Sequence, residues 1–252
     1  MVHAAVTGFA GFHQPLRAVV IGASGGIGGA LCAALASDPA VAEVFAFARQ
    51  PPAGGLARVQ TGAIDLEDEA SIREAAALAG AGGALDLVLV ASGLLHAPGL
   101  APEKRWEALD AGALARLFAV NATGPALCAR YFLPHLRRGS TSVFAALSAR
   151  VGSISDNRAG GWYGYRASKA ALNMLLKTLA LELARRNPDA VCVGLHPGTV
   201  DTGLSRPFQS RVPDGKLFTP ERAASQLLTV CAQLTPARSG QVLAWDGSPV
   251  PA

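Results

Sequence analysis

The chain has 252 residues, half of them hydrophobic and only 16% charged, with a formal net charge of +4. That composition is too apolar for a disordered chain, and the length allows one large α/β domain with a substantial core. The basic residues are scattered rather than clustered, which offers no footprint for nucleic acid, and no stretch reaches ~18 consecutive strongly apolar residues, as a membrane-spanning helix would need.

Cys32, Cys128, Cys192 and Cys231 stand far apart, with no C-x-x-C and no histidine at ligand spacing. Buried free thiols in a reducing compartment are expected, not a zinc site or a disulfide framework. The first residues lack the charged start and apolar core of a signal peptide, so a cytoplasmic location is the expectation.

Residues 1–16 hold two Gly-Phe pairs and show no periodicity. Ala18 to Ile21 then reads as a short buried strand that runs into Gly22-Ala-Ser24-Gly-Gly26-Ile27-Gly28, after which Ile27, Ala30, Leu31, Ala34 and Leu35 recur at helical spacing. Strand, glycine turn and helix form the context of a dinucleotide site: Gly22 permits a tight turn, Gly26 a close backbone approach to pyrophosphate, and Gly28 close helix packing. The helix start would present free N–H groups to phosphate. A second strand, Val44 to Phe47, ends at Ala48-Arg49-Gln50. An acid at that position would bond the ribose 2′-hydroxyl, whereas an arginine accommodates a 2′-phosphate, so Arg49 points to NADP(H) over NAD(H).

Ala63-Ile-Asp65-Leu66 reads as the close of a third strand, and Glu67 to Ile72 as a helix start with acids in its first turn. Leu85 to Val90 is an apolar run suited to a strand buried on both faces. It ends at Ala91-Ser92-Gly93, small residues that would let a cofactor ring lie close. One long helical pattern is expected from about Leu109 to Arg137, with Asn121 inside it. Thr141 to Leu147 is the next strand, closed by Ser148, and a helix carrying Tyr165 runs to Asn187-Pro188. Ala190 to Leu195, a polar loop over 203–218, a helix capped by Thr219-Pro220-Glu221 and a strand from Gln241 to Ala244 complete the chain. Strands alternating with helices, without repeats or a linker, give a Rossmann-like α/β fold: one domain over 1–252, a doubly wound parallel sheet of about seven strands with helices on both faces.

Tyr165 and Lys169 are four residues apart and share one helix face. A phenol beside an ammonium can act as proton donor and acceptor, the cation favouring phenolate and lowering the tyrosine pKa from about 10. The nearby Tyr163 has no such partner, since position 167 is Ala. His196, before a proline, reads as structural.

The Gly22/Gly26/Gly28 turn, Asp65, Asn121, Ser148, Tyr165-x-x-x-Lys169 and Pro197-Gly198 occur in the order found in the short-chain dehydrogenase/reductase family, which the chain resembles over 17–249. Gly161 to Asn173 and the tail from Ala244 to Pro251 look most like the C-factor and sniffer-type carbonyl reductase group. The resemblance implies hydride transfer between NADP(H) and a small carbonyl or alcohol substrate. Tyr165 would be the acid or base, Ser148 would hold the carbonyl oxygen, Lys169 would bond the ribose, and Asn121 would hold a water relaying protons to Lys169. Pro197, Gly198, Val200 and Thr202 would contact carboxamide and phosphate. Both a monomer and a homo-oligomer, dimer or tetramer, are open.

Two departures stand out. Ala91-Ser92-Gly93 lacks the asparagine that the family often carries there. Ser148 precedes Tyr165 by more residues than usual, which leaves Ser153 and Ser155 as weaker alternatives for its role. The altered turn motivates a second reading, a dinucleotide-binding regulator with little turnover.

Overall fold

The computed structural model describes residues 9–53 and 55–252; the opening residues, on which the signal-peptide expectation rests, lie outside the described residues. The order of elements is β1 (Leu16–Ile21), α1 (Gly26–Ser37), β2 (Val41–Ala48), β3 (Val59–Ala63), α2 (Glu69–Gly80), β4 (Leu87–Val90), α3 (Ala111–Phe118), α4 (Gly124–Phe132), β5 (Ser142–Leu147), α5 (Tyr163–Arg186), β6 (Ala190–His196), β7 (Thr199–Val200), β8 (Leu217–Phe218), α6 (Pro220–Ala232) and β9 (Val242–Ala244). Seven strands form a sheet in the order β3-β2-β1-β4-β5-β6-β9, every neighbouring pair parallel.

Period-two alternation divides the sheet's side chains between two cores. Ala18 and Val20 face one side with Leu31 and Leu35 of α1 and Leu227 and Leu228 of α6. Val19 and Ile21 face the other with Ile72 of α2, Phe132 of α4 and Leu172 and Leu176 of α5. Both faces are covered, which is why the strands read as continuous apolar runs. The strand order reverses at β1, with β2 on one side and β4 on the other, so the crevice beyond their carboxyl ends is the place where such sheets bind ligands.

Two of the differences in extent bear on the site. The third strand ends at Ala63, and Asp65 and Leu66 lie beyond it in a turn: the Asp65 N–H donates to the Ser71 hydroxyl oxygen at 2.9 Å, and Asp68 caps α2. The helix expected over 109–137 is broken between α3 and α4, because Pro125 has no N–H to give the carbonyl of Asn121 four residues back, and a 3₁₀ turn at Leu133–His135 follows α4. A π-helical turn at Ala119–Thr123 takes up the change, with the Gly124 N–H bonded to the Ala119 carbonyl.

Candidate active site

The carboxyl ends of β1, β4 and β5 open onto a cleft of about 600 Å³. One end is formed by the turn into α1. Gly22 adopts φ +91°, and a Cβ there would lie 2.7 Å from Ser92 Oγ. Gly22, Ser24, Gly26 and Ile27 line the cleft. Gly28 lies behind them, packed so closely that a Cβ would come within 2.1 Å of the Gly22 carbonyl oxygen. Arg49, exposed at the end of β2, lines the same region with Asp65 and Leu66. Ala91, Ser92 and Gly93 form the floor, and Pro197 and Thr202 a further wall. Gly198 and Val200 sit outside the lining: Gly198 packs on Phe218, and Val200 pairs with Phe218 in the β7–β8 ribbon.

Ser148, Tyr165 and Lys169 all line the other end of the cleft. Ser148 follows directly on the end of β5; its N–H donates to the Leu195 carbonyl at 2.8 Å and its hydroxyl donates to Asn173 Oδ1 at 2.6 Å. α5 carries Tyr165, Lys169 and Asn173, each four residues from the last, so one helix face presents all three. Lys169 Nζ donates to the Leu147 carbonyl at 2.7 Å. Asn121 is fully buried and outside the lining. Its side chain accepts from the Leu94 N–H at 2.8 Å and donates to the Leu94 carbonyl at 2.7 Å and to Ser168 Oγ at 3.1 Å. The alternatives to Ser148 are engaged elsewhere: Ser153 and Ser155 both donate to the Ala252 carbonyl.

The segment after β7 is more ordered than a polar loop. A 3₁₀ turn spans Arg206–Arg211, and Phe208 packs edge-on against Trp162 at 5.0 Å and His96 at 5.7 Å. His96 Nε2 donates to the Gly203 carbonyl at 3.1 Å, and Leu204 reaches over Gly93. This segment therefore roofs the end of the cleft that holds the tyrosine. Sequence reasoning missed Asn173, although its spacing from Lys169 was a usable signal, and missed Phe208 and Leu204, for which nothing local pointed to the cleft.

The model of the short chain dehydrogenase family matches residues 17–212. The chain belongs to that family. It is an NAD(P)-dependent enzyme. C-signal of Myxococcus xanthus is 38% identical over 143 residues, covering 57% of this chain and 81% of that protein. The NADPH-bound carbonyl reductase from chicken fatty liver superposes with TM-score 0.80 at 25% identity over 97% of both chains. The carbonyl reductase Sniffer of D. melanogaster matches with TM-score 0.80 at 22% identity, covering 95% of this chain and all of that one.

The cleft of this short-chain dehydrogenase fits a dinucleotide. α1 has no acid in its first turn and no side-chain cap, so the first N–H groups of the helix stay free beside Gly25, Gly26 and Ile27 in the cleft wall. Arg49 has no ion-pair partner among the described residues.

The electrostatics at the other end correct one expectation. Burial pushes the Tyr165 phenol up to about 12 instead of the lysine drawing it down. The same burial lowers the Lys169 ammonium to about 8. Lys169 Nζ stands 5.9 Å from the tyrosine ring centroid, and desolvation of both groups outweighs their attraction. His196, with Nδ1 buried and unpartnered, is lowered to about 4, chiefly by burial. All four cysteines are buried and free, and their thiols are raised by desolvation, which makes them unreactive. Among the described residues, no helix is long and apolar enough to cross a membrane and no cluster suits a metal.

Proposed function

We propose that this enzyme is an NADP(H)-dependent carbonyl reductase or alcohol dehydrogenase, working as one dinucleotide-binding unit on a small carbonyl or alcohol. The observation that carries the reading is the convergence of Ser148, Tyr165 and Lys169 on one end of a cleft whose other end offers free helix N–H groups and Arg49. The bound nicotinamide supplies or accepts the hydride, and the protein provides placement and electrostatics.

In reduction, negative charge grows on the carbonyl oxygen and a proton must reach it. A phenol with a pKa of about 12 is fully protonated at neutral pH, so Tyr165 is set up as general acid. Ser148 can donate to the same oxygen once its hydroxyl turns from Asn173, stabilising the developing charge. Lys169 holds the ribose hydroxyls and places a cation one helical turn from the tyrosine. Asn121 completes the set by tying Leu94 of the substrate-side loop to Ser168 of α5. With its amide engaged in this way, any water it relays to Lys169 rests on its backbone carbonyl. Gly22, Ser24, Gly26 and Ile27 cradle the pyrophosphate, with Gly28 allowing their approach. Arg49 takes the 2′-phosphate, Asp65 and Leu66 flank the adenine, and Ala91, Ser92 and Gly93 form the floor. Pro197 and Thr202, which line the cleft, would meet the carboxamide and phosphate, with Gly198 and Val200 behind them outside the lining. The NADPH held by the chicken carbonyl reductase supports the choice of NADP(H).

The test is to mix the protein with NADPH and a panel of aldehydes and ketones and follow the absorbance of the reduced nicotinamide. Consumption that depends on the carbonyl compound is expected. Tight NADPH binding by calorimetry with no consumption across the panel would overturn this reading in favour of a regulator.

A further inference from the structure

Glu103 is an acid buried to 5% exposure, and no cation pairs with it among the described residues. Removing a carboxylate from water without compensation is costly, so the partners it does have matter. Both carboxylate oxygens accept from the Gly164 N–H, at 3.3 and 3.2 Å, and its own backbone carbonyl accepts from the Trp162 N–H at 2.5 Å. These two donors flank Tyr163 at the very start of α5, the second lying one residue short of Tyr165.

α5 has no cap of its own. The residue at its N-cap is Trp162, left-handed at φ 54° and ψ 43°, and it makes no side-chain capping bond. A helix start leaves its first N–H groups unpartnered and carries a partial positive charge, which together suit a carboxylate. Glu103 provides that carboxylate from the loop after β4, whose earlier residues Leu94 to Pro98 line the cleft. Gly164 is what lets it approach: a Cβ there would lie 2.9 Å from Glu103 Oε1 and 2.6 Å from Leu117 Cδ1.

We propose that Glu103 is a positioning residue for Tyr165. It caps the catalytic helix from outside, and fixes the loop bearing the substrate-side wall in register with the phenol. The proposal rests on the reductase reading only for its catalytic consequence. Removing the carboxylate frees the first turn of α5, and the phenol loses its fixed height above the cleft.

The test compares wild type, Glu103→Ala and Glu103→Gln by amide hydrogen exchange with mass spectrometry, by thermal denaturation, and by steady-state kinetics with NADPH and a carbonyl compound from the panel. In Glu103→Ala, exchange in the segment 163–168 rises about tenfold while the strands of the central sheet keep their protection, as loss of a helix cap predicts. kcat falls about tenfold with KM for NADPH within about twofold, because a displaced acid slows chemistry without weakening the nucleotide site. Glu103→Gln, which keeps one acceptor oxygen, regains most of both. Unchanged exchange at 163–168 in Glu103→Ala would overturn the proposal, as would a uniform loss of protection across the molecule or a Gln variant as impaired as Ala. A wild-type protein that reduces no carbonyl compound would defeat the reductase reading alone, and the exchange comparison would still decide the role of Glu103.

Discussion

Of the Ser148, Tyr165 and Lys169 set, Lys169 is the member whose charge state changes nearer neutrality. Its ammonium is lowered to about 8 by burial, while the Tyr165 phenol is raised to about 12. Below about pH 8 the lysine is cationic and the tyrosine protonated, the combination that carbonyl reduction needs. As pH rises through that value the cation is lost while the phenol still holds its proton. kcat/KM for reduction is therefore expected to be level from about pH 6 to 7 and to fall above about pH 8, measured in the free-enzyme regime that this ratio reports. A profile without an inflection between about pH 7 and 9 would count against the cation's role. Arg49 sets the second residue-scale expectation. Arg49→Asp removes the proposed partner for a 2′-phosphate and supplies one for a 2′-hydroxyl, so NADPH affinity is expected to drop by about 10- to 100-fold and NADH to overtake it, since charge-assisted hydrogen bonds contribute about 1.5–3 kcal/mol each. Fluorescence titration of both cofactors checks the order, and equal affinities in the unmodified protein would defeat the assignment. That Tyr165 and Lys169 share one helix face was legible from spacing, but their proton affinities were not. The i to i+4 rule puts Tyr165 and Lys169 on one face, yet says nothing of the burial that separates their pKa values so widely.

At the scale of elements, the strand–turn–helix of β1 and α1 depends on how nearly the helix touches the turn. A Cβ on Gly28 would meet the Gly22 carbonyl oxygen at 2.1 Å, and that oxygen belongs to backbone that cannot swing aside. Gly28→Ala is expected to destabilise the fold by about 1–3 kcal/mol, the usual range for overpacking, and to weaken NADPH binding with it. Thermal denaturation and cofactor titration measure the two effects, and an Ala variant that matches wild type in both would refute the packing argument. This unit was readable in the chain because every requirement is local. The stretch from Leu109 to Arg137 was readable only as apolar periodicity, and a proline's missing donor changed its bonding pattern without disturbing that period. The lid was harder still. Phe208 finds Trp162 more than forty residues earlier in the chain and His96 more than a hundred earlier, which no local pattern encodes, and Glu103 reaches Gly164 in the same way.

Across the whole molecule, seven parallel strands bring the glycine turn, the Ala91-Ser92-Gly93 floor and the Ser148 strand end to one edge of the sheet, and α5 delivers Tyr165 there. The fold class was visible beforehand because strands buried on both faces and alternating with helices allow few other arrangements. The substrate was not visible, because its walls come from loops whose meeting depends on the finished fold. What the arrangement claims is that a single phenol delivers the proton. The most direct measurement is the rate of NADPH oxidation with a carbonyl substrate under single-turnover conditions, wild type against Tyr165→Phe, with NADPH affinity measured alongside. The predicted result is a loss of about 10²- to 10⁴-fold in rate with cofactor affinity retained, the range expected for removal of a general acid. An undiminished rate in Tyr165→Phe would contradict it.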